Sequence, residues 1–200
     1  MKNTHTLIDL IRHGEPEGGN RYRGQIDDPL SAIGWQQMWD AVGEVAPWQQ
    51  IVTSPLLRCH AFATKLAERH ALPLAVDARL MEIGFGAWEG RTAEQLHAED
   101  PQQLARFYND PINARPAGAE SLPAFRARVS EGFNALVAAY AGQRVLLVCH
   151  AGVMRAVIAQ VLNAPLEGMY RIEVAYAAIT QIKYAGERPP QLLSHGGCRT

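Results

Sequence analysis

Cysteine is scarce in this chain: Cys59, Cys149 and Cys198 stand among 200 residues, an odd number without paired spacing. That excludes a disulfide framework and points to free thiols in a reducing compartment, the cytoplasm. Long apolar runs are missing too. None approaches the ~20 residues that cross a bilayer. The start, Met1-Lys2-Asn3-Thr4-His5, lacks the apolar stretch and cleavage site of a signal peptide. Nor does one charge dominate. With 19 basic and 20 acidic residues the net charge is -1, which argues against a nucleic-acid surface and leaves room for a local basic pocket. No repeat period or low-complexity tract stands out.

What is present is alternation. Apolar runs of strand length are interleaved with longer stretches of helical period, a pattern that predicts an α/β domain with a mainly parallel sheet covered on both faces. A single domain of this size buries roughly 70% of its unfolded surface and needs no metal or disulfide staple. Strands are expected at 6–11, 49–53, 74–76, 144–149 and 172–183. Ser31 caps a helix carrying Ile33, Met38, Trp39 and Val42, and Ser54-Pro55 reads as the cap and first turn of the next. Thr92 and Gln95 form a capping box, Asp100-Pro101 opens a helical piece, and Ser121 starts a helix that runs to about Tyr140. Residues 82–123 hold no convincing strand and read as a cap-like insertion over the site. From Glu187 on, the composition predicts a loose tail.

The chemistry concentrates where two strands end. Arg12-His13-Gly14 follows the first strand, and His150-Ala151-Gly152 follows Val145-Leu146-Leu147-Val148-Cys149. Ligands of α/β proteins bind beyond the carboxyl ends of strands, so two imidazoles and a guanidinium there suggest phosphoryl transfer. His13 is the candidate nucleophile: a neutral imidazole nitrogen attacks phosphorus when the other nitrogen donates to a fixed acceptor. His150 is a second imidazole able to donate to the transferring group, and the Gly152 N–H, opening a helix, is available to an anion. Arg12 and Arg58 offer the paired donors that suit phosphoryl oxygens. Taken singly, each of these also fits a locally satisfied histidine or a surface arginine. Their convergence favours a site.

Glu82 is the preferred general acid, with Phe85 and Trp88 as an apolar wall; Glu15 and Glu89 remain open as alternatives. A rival reading is Cys149 with Arg155, the Cys-x5-Arg spacing of cysteine-dependent phosphatases. It leaves Arg12-His13-Gly14 unexplained, and Cys149 fits better as a small buried strand residue.

These residues resemble the histidine phosphatase superfamily, which includes cofactor-dependent phosphoglycerate mutases. The resemblance rests on Leu10-Ile11-Arg12-His13-Gly14-Glu15, Asn20, Gly24, Asp28-Pro29-Leu30-Ser31, Gly34, Ser54-Pro55-Leu56-Leu57-Arg58, Glu82, Phe85-Gly86-Ala87-Trp88-Glu89-Gly90 and Val148-Cys149-His150-Ala151-Gly152. It implies a three-layer α/β/α sandwich in which His13 is phosphorylated, Arg12, Arg58 and His150 form the phosphate pocket, Asn20 lends a contact and Glu82 donates the proton. It implies no metal or other cofactor. Pro16 departs from the Thr or Ser common in the family, so one hydroxyl hydrogen bond near the pocket is missing. Within the superfamily the chain is most similar to the short alpha-ribazole phosphatase branch, through its length, Asn20-Arg21-Tyr22-Arg23-Gly24 and Phe85-Gly86-x-Trp88-Glu89.

The expected activity is therefore hydrolysis of a small-molecule phosphomonoester, alpha-ribazole phosphate among the candidates. Neither nucleic acid nor membrane is an expected partner, and the oligomeric state stays open, a homodimer included. A mutase, a broad-specificity sugar, nucleotide or phosphoprotein phosphatase, and a non-catalytic phosphate-binding module are the alternatives.

Overall fold

The computed structural model describes residues 5–197; Cys198 lies outside them. Six strands, β1 (His5–Arg12), β2 (Gln50–Thr53), β3 (Leu74–Val76), β4 (Arg144–Cys149), β5 (Ile179–Ala185) and β6 (Gln191–Gly197), form one sheet in the order β3-β2-β4-β1-β5-β6. The first four in that order are parallel, β5 is antiparallel to β1, and β6 is antiparallel to β5. The helices are α1 (Ala32–Val42), α2 (Leu57–His70), α3 (Ala93–Glu99), α4 (Gln103–Asn109), α5 (Leu122–Ala139) and α6 (Ala151–Val161). The result is a three-layer α/β/α sandwich with a mixed, largely parallel sheet, as the alternation predicts.

Strand periodicity explains the layers. Ile8 and Leu10 of β1, with Val145, Leu147 and Cys149 of β4, point to the face covered by α5 and α6. Ile11, Leu146 and Val148 point the other way, against Met38 and Val42 of α1 and Phe62 and Leu66 of α2. Successive strand side chains alternate between faces, so a strand buried on both sides must be apolar throughout. Ile33 does not join this core; it is exposed. Ser31 accepts from the Gly34 N–H at 3.0 Å, Ser121 accepts from the Ala124 N–H, and the Thr92–Gln95 capping box is complete.

Two expectations fail at the far end of the chain. The segment 187–197 is not a loose tail: β6 pairs with β5 along the sheet edge. Its residues are mostly exposed and show no apolar alternation, because an edge strand is held by backbone hydrogen bonds that composition does not reveal. The strand expected at 172–183 begins only at Ile179. The stretch before it turns toward the carboxyl end of β1, where Ala178 O accepts from the Arg12 N–H and His13 O accepts from the Ala177 N–H.

One charge sits inside the sheet. Asp9, fully buried in β1, accepts from the Trp48 indole at 2.7 Å, Arg144 Nε at 2.9 Å and Gln181 Nε2 at 2.9 Å. A buried carboxylate is tolerable only when its oxygens are satisfied in this way. Asp9→Ala should therefore lower unfolding stability by about 3–5 kcal/mol, since it strands a partly buried guanidinium and an indole N–H. Urea unfolding followed by fluorescence measures this; a loss below about 1 kcal/mol, the scale of a surface pair, would show that the network contributes little.

Candidate active site

The site is built by strand register. β1 and β4 run parallel with Arg12 opposite Cys149, so the next residues, His13 and His150, leave the sheet side by side. The His13 N–H donates to Cys149 O at 2.9 Å. The two rings stand 5.3 Å apart between centroids at 63°, edge to face. Both are buried.

His13 Nδ1 lies 2.7 Å from Gly14 O. A carbonyl only accepts, so Nδ1 carries the proton and the neutral ring keeps its lone pair on Nε2. Burial, then the Arg12 and Arg58 cations, hold the His13 pKa well below the usual imidazole range. His150 is lowered in the same direction, by burial first and then by Arg58 and His13. Its Nε2 is 2.7 Å from Ser54 Oγ, which itself accepts from the Leu56 N–H. Ser54 is thus not the cap of α2. That place is filled from elsewhere in the chain, where the Asp27 carboxylate accepts from the Leu57 N–H at 2.6 Å.

Arg12 and His13 open onto a cavity of about 410 Å³, whose wall also includes Asn20, Arg58, Glu82 and Phe85. Arg12 donates to Val174 O at 2.6 Å and stacks on Tyr176, its guanidinium carbon 4.0 Å from the ring centroid. Arg58 donates to Gly24 O and Ile26 O, which ties the 14–30 loop to the start of α2. Among the described residues, the buried Nε–H of each arginine lacks a partner. Both side chains line the cavity, so two guanidinium groups border one space, the arrangement that suits an anion. His150 is fully covered and does not line the open cavity; it backs His13 from beneath.

Glu82 is the carboxylate of the expected set that reaches this cavity. One oxygen accepts from the Ile83 N–H at 2.9 Å and the other from the Gly152 N–H at 3.1 Å. Gly152 is therefore not free to hold an anion, as the sequence suggested; its amide is taken by Glu82. It is glycine because a Cβ there would lie 2.2 Å from Glu82 Oε1. The alternatives fall away from the cavity. Glu89 accepts from the Phe85 and Gln25 N–H groups, which staples two loops together. Glu15 accepts from the Ser31 hydroxyl. Trp88 is no wall for Glu82 either: it packs with Leu96 and Phe107 in a separate small core.

Cys149 is fully buried in the sheet core, and burial pushes its thiol well above the usual range. A thiol held protonated is a poor nucleophile. Arg155, its expected partner in the rival reading, lines the cavity while donating to Ile172 O.

Sequence reasoning missed the outer wall, made by Tyr22, Tyr108, Tyr170, Tyr176 and Glu94. Only Tyr22 lay near a recognisable motif. The others come from segments with no chemical signature, gathered by the fold. Among the described residues no group of three or more His, Cys, Asp or Glu side chains could hold a metal ion.

Comparison with known proteins gives the chain its relatives. The chain is 32% identical over 184 residues to the bifunctional protein Rv2228c of Mycobacterium tuberculosis, covering 90% of this chain and 50% of that one, so it spans about half that relative's length. It is 31% identical over 169 residues to the adenosylcobalamin/alpha-ribazole phosphatase of Salmonella typhimurium, covering 82% and 84%. The mycobacterial glucosyl-3-phosphoglycerate phosphatase structure superposes with a TM-score of 0.84 at 28% identity, covering 96% of this chain and 99% of that one. The profile of the histidine phosphatase superfamily (branch 1) matches residues 8–195, and the chain belongs to that family.

Proposed function

We propose that this protein hydrolyses small-molecule phosphomonoesters through a phosphohistidine on His13. The observation that carries the reading is the His13 tautomer: Nδ1–H is spent on Gly14 O, which leaves the Nε2 lone pair on a ring that lines one cavity with Arg12 and Arg58. The ester dianion sits between Arg12 and Arg58. His13 Nε2 attacks phosphorus, a P–N bond forms as the P–O ester bond breaks, and Glu82 gives its proton to the departing alkoxide. Water then attacks phosphorus, the P–N electrons return to Nε2, and Glu82 takes the water's proton. His150 supports the nucleophile from beneath: its ring stands edge to face with His13, its Nε2 lies 2.7 Å from Ser54 Oγ, and its Nδ1 lies 3.7 Å from Cys59 Sγ. Positioning and charge stabilisation carry the catalysis, as in phosphoryl transfer generally.

The cavity is far larger than a phosphoryl group needs, and its outer wall is aromatic. That favours a leaving group with a flat ring, because tyrosine and phenylalanine faces hold one by stacking. A nucleotide-like ester such as alpha-ribazole phosphate is the substrate class this supports best; the likeness to the Salmonella typhimurium enzyme points the same way.

Three outcomes test the reading. Brief incubation with a radiolabelled phosphomonoester should label the protein, and His13→Ala should abolish the acid-labile label; an unchanged label would remove His13 from the mechanism. Because the folded His13 pKa is depressed, the nucleophile stays neutral as the medium acidifies. On an activated aryl phosphate, whose leaving group needs no proton from Glu82, kcat/KM corrected for the dianion fraction of the substrate (second pKa about 6) should hold its pH 7 value down to about pH 5.5. An imidazole of ordinary pKa would lose about tenfold over that range. Across a panel of phosphomonoesters, nucleotide-like esters should exceed three-carbon and sugar phosphates in kcat/KM; isomerised phosphoglycerate in place of free phosphate would instead identify a mutase.

A further inference from the structure

Glu82 sits on a stretch of chain without helix or strand, yet both its backbone and its carboxylate are fixed. The carboxylate is held by the amides of Ile83 and Gly152. The backbone is held from the opposite side by one residue of α5. Arg128 donates to Arg79 O at 2.9 Å, Met81 O at 2.7 Å and Glu82 O at 3.0 Å. Its fork also pairs both oxygens of Glu120, each at 2.7 Å. Glu120 in turn accepts from the Gly84 N–H at 3.3 Å and gives its own N–H to Gly84 O at 3.1 Å. The guanidinium rests 4.8 Å over the Phe125 ring, itself fully buried.

We propose that Arg128, paired with Glu120, is a positioning residue that sets Glu82 at the mouth of the cavity. The geometry calls for arginine. Three carbonyls and a bidentate carboxylate surround one planar group, and a lysine ammonium is a point donor that cannot reproduce the fork. Three consecutive-turn carbonyls tied to a helix of the main sandwich also leave the 79–84 segment little freedom. Small displacements matter for a proton donor, because general acid catalysis needs hydrogen-bond reach to the leaving oxygen. Neither Arg128 nor Glu120 lines the cavity, so both act through Glu82.

The proposal rests on Glu82 as the proton donor, and the experiment separates the two. Glu82→Gln should lose about 100- to 1,000-fold in kcat on alkyl phosphomonoesters, within the range of general acid catalysis, and far less on activated aryl phosphates. Equal losses on both substrate types would remove the acid assignment, and Arg128's role with it. Given the expected split, Arg128→Met should show the same leaving-group pattern with little change in KM. The double variant should lose no more than Glu82→Gln alone, because both changes remove one function. Losses that multiply in the double variant, or an Arg128→Met loss independent of the leaving group, would overturn the positioning role while leaving Glu82 in place. If Arg128→Met fails to fold, Arg128→Lys and Glu120→Gln are read by the same criterion. A wild-type leaving-group dependence in those two variants would count against the clamp.

Discussion

Everything in the site follows from the pairing of β1 with β4. These strands are distant in sequence but adjacent and parallel in the sheet, with Arg12 opposite Cys149. One residue further on, the backbone N–H of His13 still bonds Cys149 O, so the two imidazoles leave from matched positions. A slip of one residue would turn each side chain to the other face of the sheet. The apolar residues of both strands do not by themselves prevent such a slip. Buried Asp9 helps to: its partners on the neighbouring chain segments are met in one register only.

The same arginines serve two ends. As cations beside a buried imidazole they oppose its protonation, and as fork donors they await an oxyanion. A histidine surrounded by carboxylates would be charged and unable to attack. Here the nearest carboxylate is kept at the rim, its oxygens held by the Ile83 and Gly152 amides. Ser54, Gly14 and Val174 each occupy one polar atom of His150, His13 and Arg12 in turn. Of the atoms left over, His13 Nε2 belongs to a ring that lines the cavity.

How much of this was legible in the sequence depended on the kind of interaction. His13, Arg12 and His150 could be found because strand ends and apolar runs are local patterns. Glu82 could be singled out from its loop, though only geometry separated it from Glu15 and Glu89. Gly152 was misread for a different reason: a helix-opening amide advertises itself to any acceptor, and the sequence does not say that a side chain 70 positions earlier takes it. Ser54 looked like a helix cap because serine before proline usually is one; the cap came from Asp27 in a loop whose shape no periodicity encodes. Arg128 left no trace at all, since its targets are carbonyl groups that every residue carries. The edge strand β6 was hidden for the same backbone reason.

Strand order has a consequence for how the chain comes to be folded. β4 lies between β2 and β1, so a nascent chain that has not yet reached Arg144 lacks the strand that joins β1 to β2. Until it arrives, β1 and β2 each expose an unpaired apolar border, the kind of surface that invites mispairing and recruits chaperones. β4 closes that gap and delivers His150 in the same event, before β5 follows to cover the other border of β1. The candidate site therefore has no early, partially formed version: a nascent chain that has not yet closed its sheet has only half of it.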